Sequence, residues 1–195
     1  MKLLVIYTHP NHESLNFGFL NKVLAGSREN PDIEEVQVVD LYEENFNPLL
    51  VFGGEKRRRD MHRDPAFERY RQQLVRADKL VFIYPIWWGR PPAMLLGYID
   101  QLFASGFAYK EEGGLLPEGL LKGKSAVCIS TMKGPAKYPL FFLNNAHKAL
   151  MKKAVLRFVG IKKVKFFEFG NMESASGNQD KKLAEVYRYF KKLER

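Results

Sequence analysis

The sequence predicts a doubly wound α/β fold: one parallel five-stranded sheet with helices on both faces, three layers in all. Three observations predict it. Short apolar runs alternate with helical patterns along the 195 residues, as in successive βαβ units. Most of those runs are nearly continuous in apolar residues, as strands covered on both faces require. No run approaches the roughly 20 apolar residues that a bilayer demands, so the apolar content of 46% belongs in a packed core.

The expected strands are Lys2–Tyr7, Glu35–Asp40, Lys79–Tyr84, Ser125–Thr131 and Lys163–Phe169. A first helix runs from about Ser14 to Ala25, with Leu20, Val23 and Leu24 on one face. A second begins at Asp64-Pro65, an N-cap followed by a first-turn proline, and reaches Arg76. A third follows Pro91-Pro92 and carries Met94, Leu95, Tyr98 and Leu102. The fourth is expected over Leu140–Val159 with Leu143, Ala146, Leu150, Ala154 and Phe158 inward, closed by Gly160. The fifth starts near Ser176-Gly177-Asn178-Gln179, in the pattern of a capping box, and buries Leu183, Val186, Tyr187 and Phe190. Two connections are long: Asn45–Arg63 and the glycine-rich Ala108–Lys122. With no linker or repeat, residues 1–195 read as a single domain. Crossovers in a parallel sheet are right-handed, and ligands bind beyond the carboxyl ends of its strands. The loops after the first, third and fourth strands are therefore the place to look for chemistry.

After the first strand the chain reads Thr8-His9-Pro10-Asn11-His12-Glu13-Ser14-Leu15-Asn16 and enters a helix. A helix amino terminus offers unpaired N–H groups and a positive dipole end, which suits a phosphate. His9, Ser14 and Asn16 add side-chain donors, and Ser14 also reads as a plain N-cap. The glycine fingerprints of dinucleotide and P-loop sites are absent, which favours a mononucleotide. His9 and His12 lack a third ligand nearby, so no metal is expected. After the third strand comes Pro85-Ile86-Trp87-Trp88-Gly89-Arg90-Pro91-Pro92, with both tryptophans of the chain. Adjacent tryptophans cannot both point into the core, so one is expected to offer its face to a ligand or a partner chain. After the fourth strand, Thr131-Met132-Lys133-Gly134-Pro135-Ala136-Lys137-Tyr138 brings a glycine for close approach, a cation and a phenol.

The net charge of +9 is scattered over the chain, including Lys56-Arg57-Arg58-Arg59, and reads first as a solvated basic surface; attraction of small anionic cofactors comes next and nucleic acid last. Cys128, the one cysteine, lies in an apolar run; it excludes an internal disulfide, suits a reducing cytoplasm and reads as a small core hydrophobe.

His9-Pro10 with Ser14-Leu15-Asn16, Tyr84-Pro85-Ile86-Trp87-Trp88, Pro92-Ala93-Met94-Leu95, Asp100-Gln101-Leu102-Phe103 and Gly106-Phe107-Ala108-Tyr109 together resemble the flavodoxin-like NAD(P)H:quinone oxidoreductases. The likeness covers the chain to about Tyr138 and is looser beyond. It implies FMN as cofactor, with His9, Ser14, Leu15 and Asn16 around the phosphate end, Pro85, Ile86, Trp87 and Trp88 along the isoalloxazine, and Thr131 and Gly134 at its other edge. It implies a catalytic role for Tyr138 near hydride transfer, NADH or NADPH as reductant, a quinone, azo or nitro compound as acceptor, ping-pong kinetics, and a homodimer with its sites at the interface. FMN is favoured over FAD because the chain lacks room for the extra domain that holds an adenosine half in some members. The run Thr131-Met132-Lys133-Gly134 departs from the family's Thr-Thr-Gly-Gly type, and no histidine follows Tyr138 at the family's short spacing; His147 reads as an exposed helix residue. A flavin-binding ancillary subunit of a membrane transport system is the alternative. A one-electron carrier is disfavoured, because such carriers present acidic surfaces.

Overall fold

The computed structural model describes residues 1–54, 57–111, 117–174 and 178–194. Lys56 and Ser176 lie outside the described residues. Five parallel strands form the main sheet: β1 (Lys2–Tyr7), β2 (Glu35–Asp40), β3 (Lys79–Pro85), β6 (Ser125–Thr131) and β7 (Lys163–Phe169), in the order β2-β1-β3-β6-β7. The chain reverses its winding between β1 and β3, which places the topological switch point at their carboxyl ends. A two-stranded antiparallel ribbon, β4 (Tyr109–Lys110) with β5 (Glu118–Gly119), interrupts the glycine-rich connection.

Helix α1 (Leu15–Arg28) and the last helix, α6 (Gln179–Lys191), cover one face of the sheet; α2 (Glu68–Arg76) and α3 (Ala93–Leu102) cover the other. On the first face Val5, Tyr7, Val81, Ile83, Val127, Ile129 and Phe167 meet Phe19, Val23, Val186 and Phe190. On the second, Ile6, Phe82, Tyr84 and Cys128 meet Leu74, Tyr98 and Met151. Successive residues of β3 and β6 thus enter opposite cores, which is why these strands read as continuous apolar runs. α1 and α6 pack so closely that a Cβ added at Gly26 would lie 2.5 Å from the Tyr187 carbonyl oxygen. Burial pushes the Cys128 thiol up to about 12, as befits a core residue rather than a nucleophile. Among the described residues no helix is long and apolar enough to cross a membrane.

The expected fourth helix is the element the structure corrects. Residues 138–156 form α4 (Tyr138–Phe142), α5 (Ala146–Ala149) and a π-helical stretch over Leu150–Leu156. Asn144 and Asn145 between them are left-handed, at φ 49° and 53°. That break and the extra residue per π turn reset the helical phase. The inward residues are His147, Met151, Leu156 and Val159, while Ala146, Ala154 and Phe158 face outward. His147, expected to be exposed, is 1% exposed.

Candidate active site at the carboxyl edge of the sheet

The loop after β1 is built by its own polar groups. Ser14 sits in extended backbone as the N-cap of α1, and its Oγ accepts from the Phe17 N–H at 3.3 Å. The Tyr7 hydroxyl lies 3.3 Å from the same Oγ, and burial pushes that phenol up to about 12. His12 Nε2 is 2.6 Å from Asp40 Oδ2, while the Asn11 N–H donates to His9 Nδ1 at 3.1 Å, so the two histidines turn to different partners. Burial, foremost, holds the His9 imidazole below its ordinary range.

The buried Asn16 side chain ties this loop to β6: its Nδ2 donates to Thr131 Oγ1 at 2.9 Å. Its Oδ1 has no partner, and neither has the buried Thr8 Oγ1. The first turn of α1 holds no acidic side chain, so nothing of its own offsets the dipole or uses the N–H groups of Leu15 and Asn16.

The loop after β3 is a tight turn. Trp87 and Arg90 exchange backbone hydrogen bonds at 3.0 and 3.1 Å, with Trp88 (φ 53°) and Gly89 (φ 71°) both left-handed at its corner. For a bulky residue such as Trp88 that conformation costs on the order of 1 kcal/mol. The turn throws Trp88 into solvent at 97% exposure; Trp87 is 42% exposed, with its ring 6.4 Å from that of His9.

The loops after β6 and β7 are stitched together. The Met132 N–H donates to the Phe169 carbonyl, the Met172 N–H to the Met132 carbonyl and the Asn171 N–H to the Gly134 carbonyl. Gly170 lies so close to Gly134, Pro135 and Ala136 that any side chain there would collide with their backbone. Gln179 and Lys182 of α6 hold this loop from below, donating to the carbonyls of Met172 and Gly170 at 2.8 and 2.6 Å. Lys133 Nζ stands 2.9 Å from Glu173 Oε2, both side chains solvent-exposed.

These loops enclose a cleft of about 270 Å³ lined by His9, Ser14, Leu15, Asn16, Pro85, Ile86, Trp87 and Thr131, and by Met132, Lys133, Met172 and Glu173. Eight sequence-predicted residues therefore come together. Trp88, Gly134 and Tyr138 lie outside the lining. Tyr138 opens α4, half-exposed, and stacks on Phe142 at 5.0 Å. Met172 and Glu173 went unforeseen because the loop after the fifth strand was not considered; Gly170-Asn171 before them, a turn pair with Asn171 left-handed, is the signal that marks it.

The cleft suits an anionic, flat ligand. The Ser14-capped amino terminus of α1, with no acidic side chain in its first turn, suits an anionic group, and Asn16 Oδ1, without a partner among the described residues, suits a donor, beside an apolar wall of Ile86, Trp87, Met132 and Met172. Residues 1–193 match the model of a family described as having the flavodoxin-like fold, Flavodoxin_2. The chain is 30% identical over 188 residues to a Haemophilus influenzae protein named as an uncharacterized NAD(P)H oxidoreductase, across 95% of this chain and 92% of that one. It is 31% identical over 185 residues to the FMN-dependent NADH:quinone oxidoreductase of Clostridium beijerinckii, across 91% and 88%. The crystal structure of Smu.1420 from Streptococcus mutans superposes with a TM-score of 0.91 at 34% identity, across 99% of this chain and all of that one. The chain belongs to this flavodoxin-like family, among relatives named as NAD(P)H oxidoreductases.

Proposed function

We propose that this protein is an FMN-dependent oxidoreductase that passes electrons from NADH or NADPH to a quinone or a similar azo or nitro acceptor. The observation that carries the reading is the cleft: the amino terminus of α1, free of acidic side chains, beside Asn16 with its unpartnered Oδ1, against an apolar wall at the topological switch point. The C. beijerinckii relative's name supports FMN and a quinone.

When bound, FMN supplies a two-electron centre that takes a hydride from a reduced nicotinamide and gives it to an acceptor. The chain's part is to hold and shield it. The N–H groups of Leu15 and Asn16 bind the phosphate, while Ser14 fixes the helix start. Asn16 Oδ1 would accept from the polar chain of the ligand. Ile86 and Trp87 would exclude water from the ring system, with Thr131, Met132 and Lys133 lining the cleft beside it. One opening serves donor and acceptor in turn, which gives ping-pong kinetics. No side chain need act as a strong acid or base.

The reading includes a homodimer. Trp88, Tyr138, Leu140, Phe141 and Phe142 are all exposed, and Gly89 of the tryptophan turn abuts Leu143 at the end of α4. A second copy that covers this apolar face would bring Trp88 and Tyr138 to a site they do not line in one chain.

A visible absorption spectrum of the purified protein, followed by anaerobic addition of NADH or NADPH, tests the reading. Flavin bands that bleach on addition are expected. A colourless protein that takes up no added FMN overturns it.

A further inference from the structure

At the amino-terminal edge of the sheet, far from the cleft, lies a second and larger cavity. On the α1/α6 face, alternate residues of β3, β6 and β7 are mostly apolar and buried, among them Val81, Ile83, Val127, Ile129, Phe167 and Phe169. One row nearer the strand starts, the pattern breaks. The register sets Lys79 opposite Ser125, and Ser125 opposite Lys163, with Lys165 one step along β7 on the same face. A cavity of about 610 Å³ opens beside this row, lined by the three lysines and Ser125 and walled by Met1, Tyr189 and Leu193.

The cations of this row lack counter-ions. Lys79 Nζ donates to the neutral Ser125 Oγ at 2.8 Å. Among the described residues no carboxylate pairs with Lys79, Lys163 or Lys165, and Lys165 Nζ lies 5.3 Å from the Phe167 ring centre. Two acids also line the cavity, Asp78 and Glu194, and Asp78 Oδ2 accepts from the Lys2 N–H at 2.7 Å. Burial, and then the charge of Lys163, holds the Lys79 ammonium below the usual lysine range. A half-buried ammonium satisfied by a hydroxyl, with another ammonium as its charged neighbour, is a costly arrangement that an anion relieves.

We propose that the Lys79–Ser125–Lys163 row binds a small organic phosphate, with the Tyr189 and Leu193 wall taking the apolar part of the molecule. β3 and β7 are two strand spacings apart, about 10 Å, so Lys79 and Lys163 flank Ser125 from opposite sides. A phosphate presents three oxygens and up to two negative charges, and so accepts from both ammonium groups and from the hydroxyl between them at once. The site is independent of the cleft and of the flavin reading.

Calorimetric titration of phenyl phosphate into the purified protein, run both without and with added FMN, tests this. Binding is expected at one site per chain, more tightly than inorganic phosphate. Lys79→Met and Lys163→Met should each weaken it about tenfold or more, and Ser14→Ala should leave it unchanged. Lys163 is exposed, so its variant reports even if Lys79→Met fails to fold. No binding to the unaltered protein, equal affinity in Lys163→Met, or a loss that follows Ser14→Ala instead would overturn the proposal.

Discussion

The loop after β1 and the segment after β6 reach the same end of the sheet, yet they are made in opposite ways. The first is held by its own polar groups: Ser14 caps α1, Asn16 bonds Thr131, and His12 meets Asp40. What it leaves free among the described residues, Asn16 Oδ1 and the helix dipole, lies at the cleft. The second runs through two short helices and two left-handed asparagines and turns Leu140, Phe141 and Phe142 to solvent. The difference teaches that one end of a sheet carries two kinds of incompleteness. A preorganised polar loop awaits a small molecule, and an apolar segment awaits a large surface.

Four variants break or sharpen this contrast. Gly170→Ala should cost the most, about 3 kcal/mol of unfolding free energy, because its methyl collides with the backbone of residues 134–136; a urea midpoint near that of the parent would refute the close approach. Ser14→Ala should reduce FMN affinity by roughly 1 kcal/mol more than riboflavin affinity, because the cap fixes the helix end that grips the phosphate. Equal losses for the two ligands, measured by fluorescence titration, would remove the phosphate from that position.

His147→Phe addresses the second segment. Its imidazole is buried with neither ring nitrogen hydrogen-bonded; Glu168 Oε1 lies 3.4 Å from Nδ1. Burial lowers its proton affinity, more than Glu168 restores it. The unfolded chain therefore takes up a proton near pH 6.5 that the folded chain resists, so stability declines as the pH falls through that value. The variant should show a shallower decline in melting temperature between about pH 7 and pH 5; an unchanged slope would assign the effect elsewhere. Phe141→Ser with Phe142→Ser should have the smallest effect on stability, within about 0.5 kcal/mol, because both rings are exposed. It should nonetheless shift sedimentation from dimer to monomer, and a dimer that survives would mean the partner sits on another face.

The sheet was legible because β1, β3 and β6 are buried on both sides, which writes a continuous apolar run into the sequence. The start of α1 was legible because a serine cap is a local device. Residues 138–159 were not. Leu143, Ala146, Leu150, Ala154 and Phe158 make a plausible helical stripe, and only the phase break at Asn144-Asn145 and the π turn show that His147, Met151 and Leu156 face inward instead. At the cleft, residue types and strand ends sufficed to bring eight residues together. The direction in which Trp88 points depends on a two-residue turn whose left-handed first corner a tryptophan rarely occupies, so sequence pattern gave no notice of it.

The seam between α1 and α6 bears on how the chain is made. Gly26 admits the Tyr187 carbonyl, and Asn30 Nδ2 holds the carbonyls of Phe190 and Leu193 at 2.8 and 2.9 Å. α1 leaves the ribosome early, and the helix that covers Phe19 and Val23 leaves after every strand. Until α6 is made, Phe19 and Val23 lack that cover, and the seam then closes through a contact between Asn30 and Phe190, 160 residues apart in sequence, the kind of long-range pairing that forms slowly.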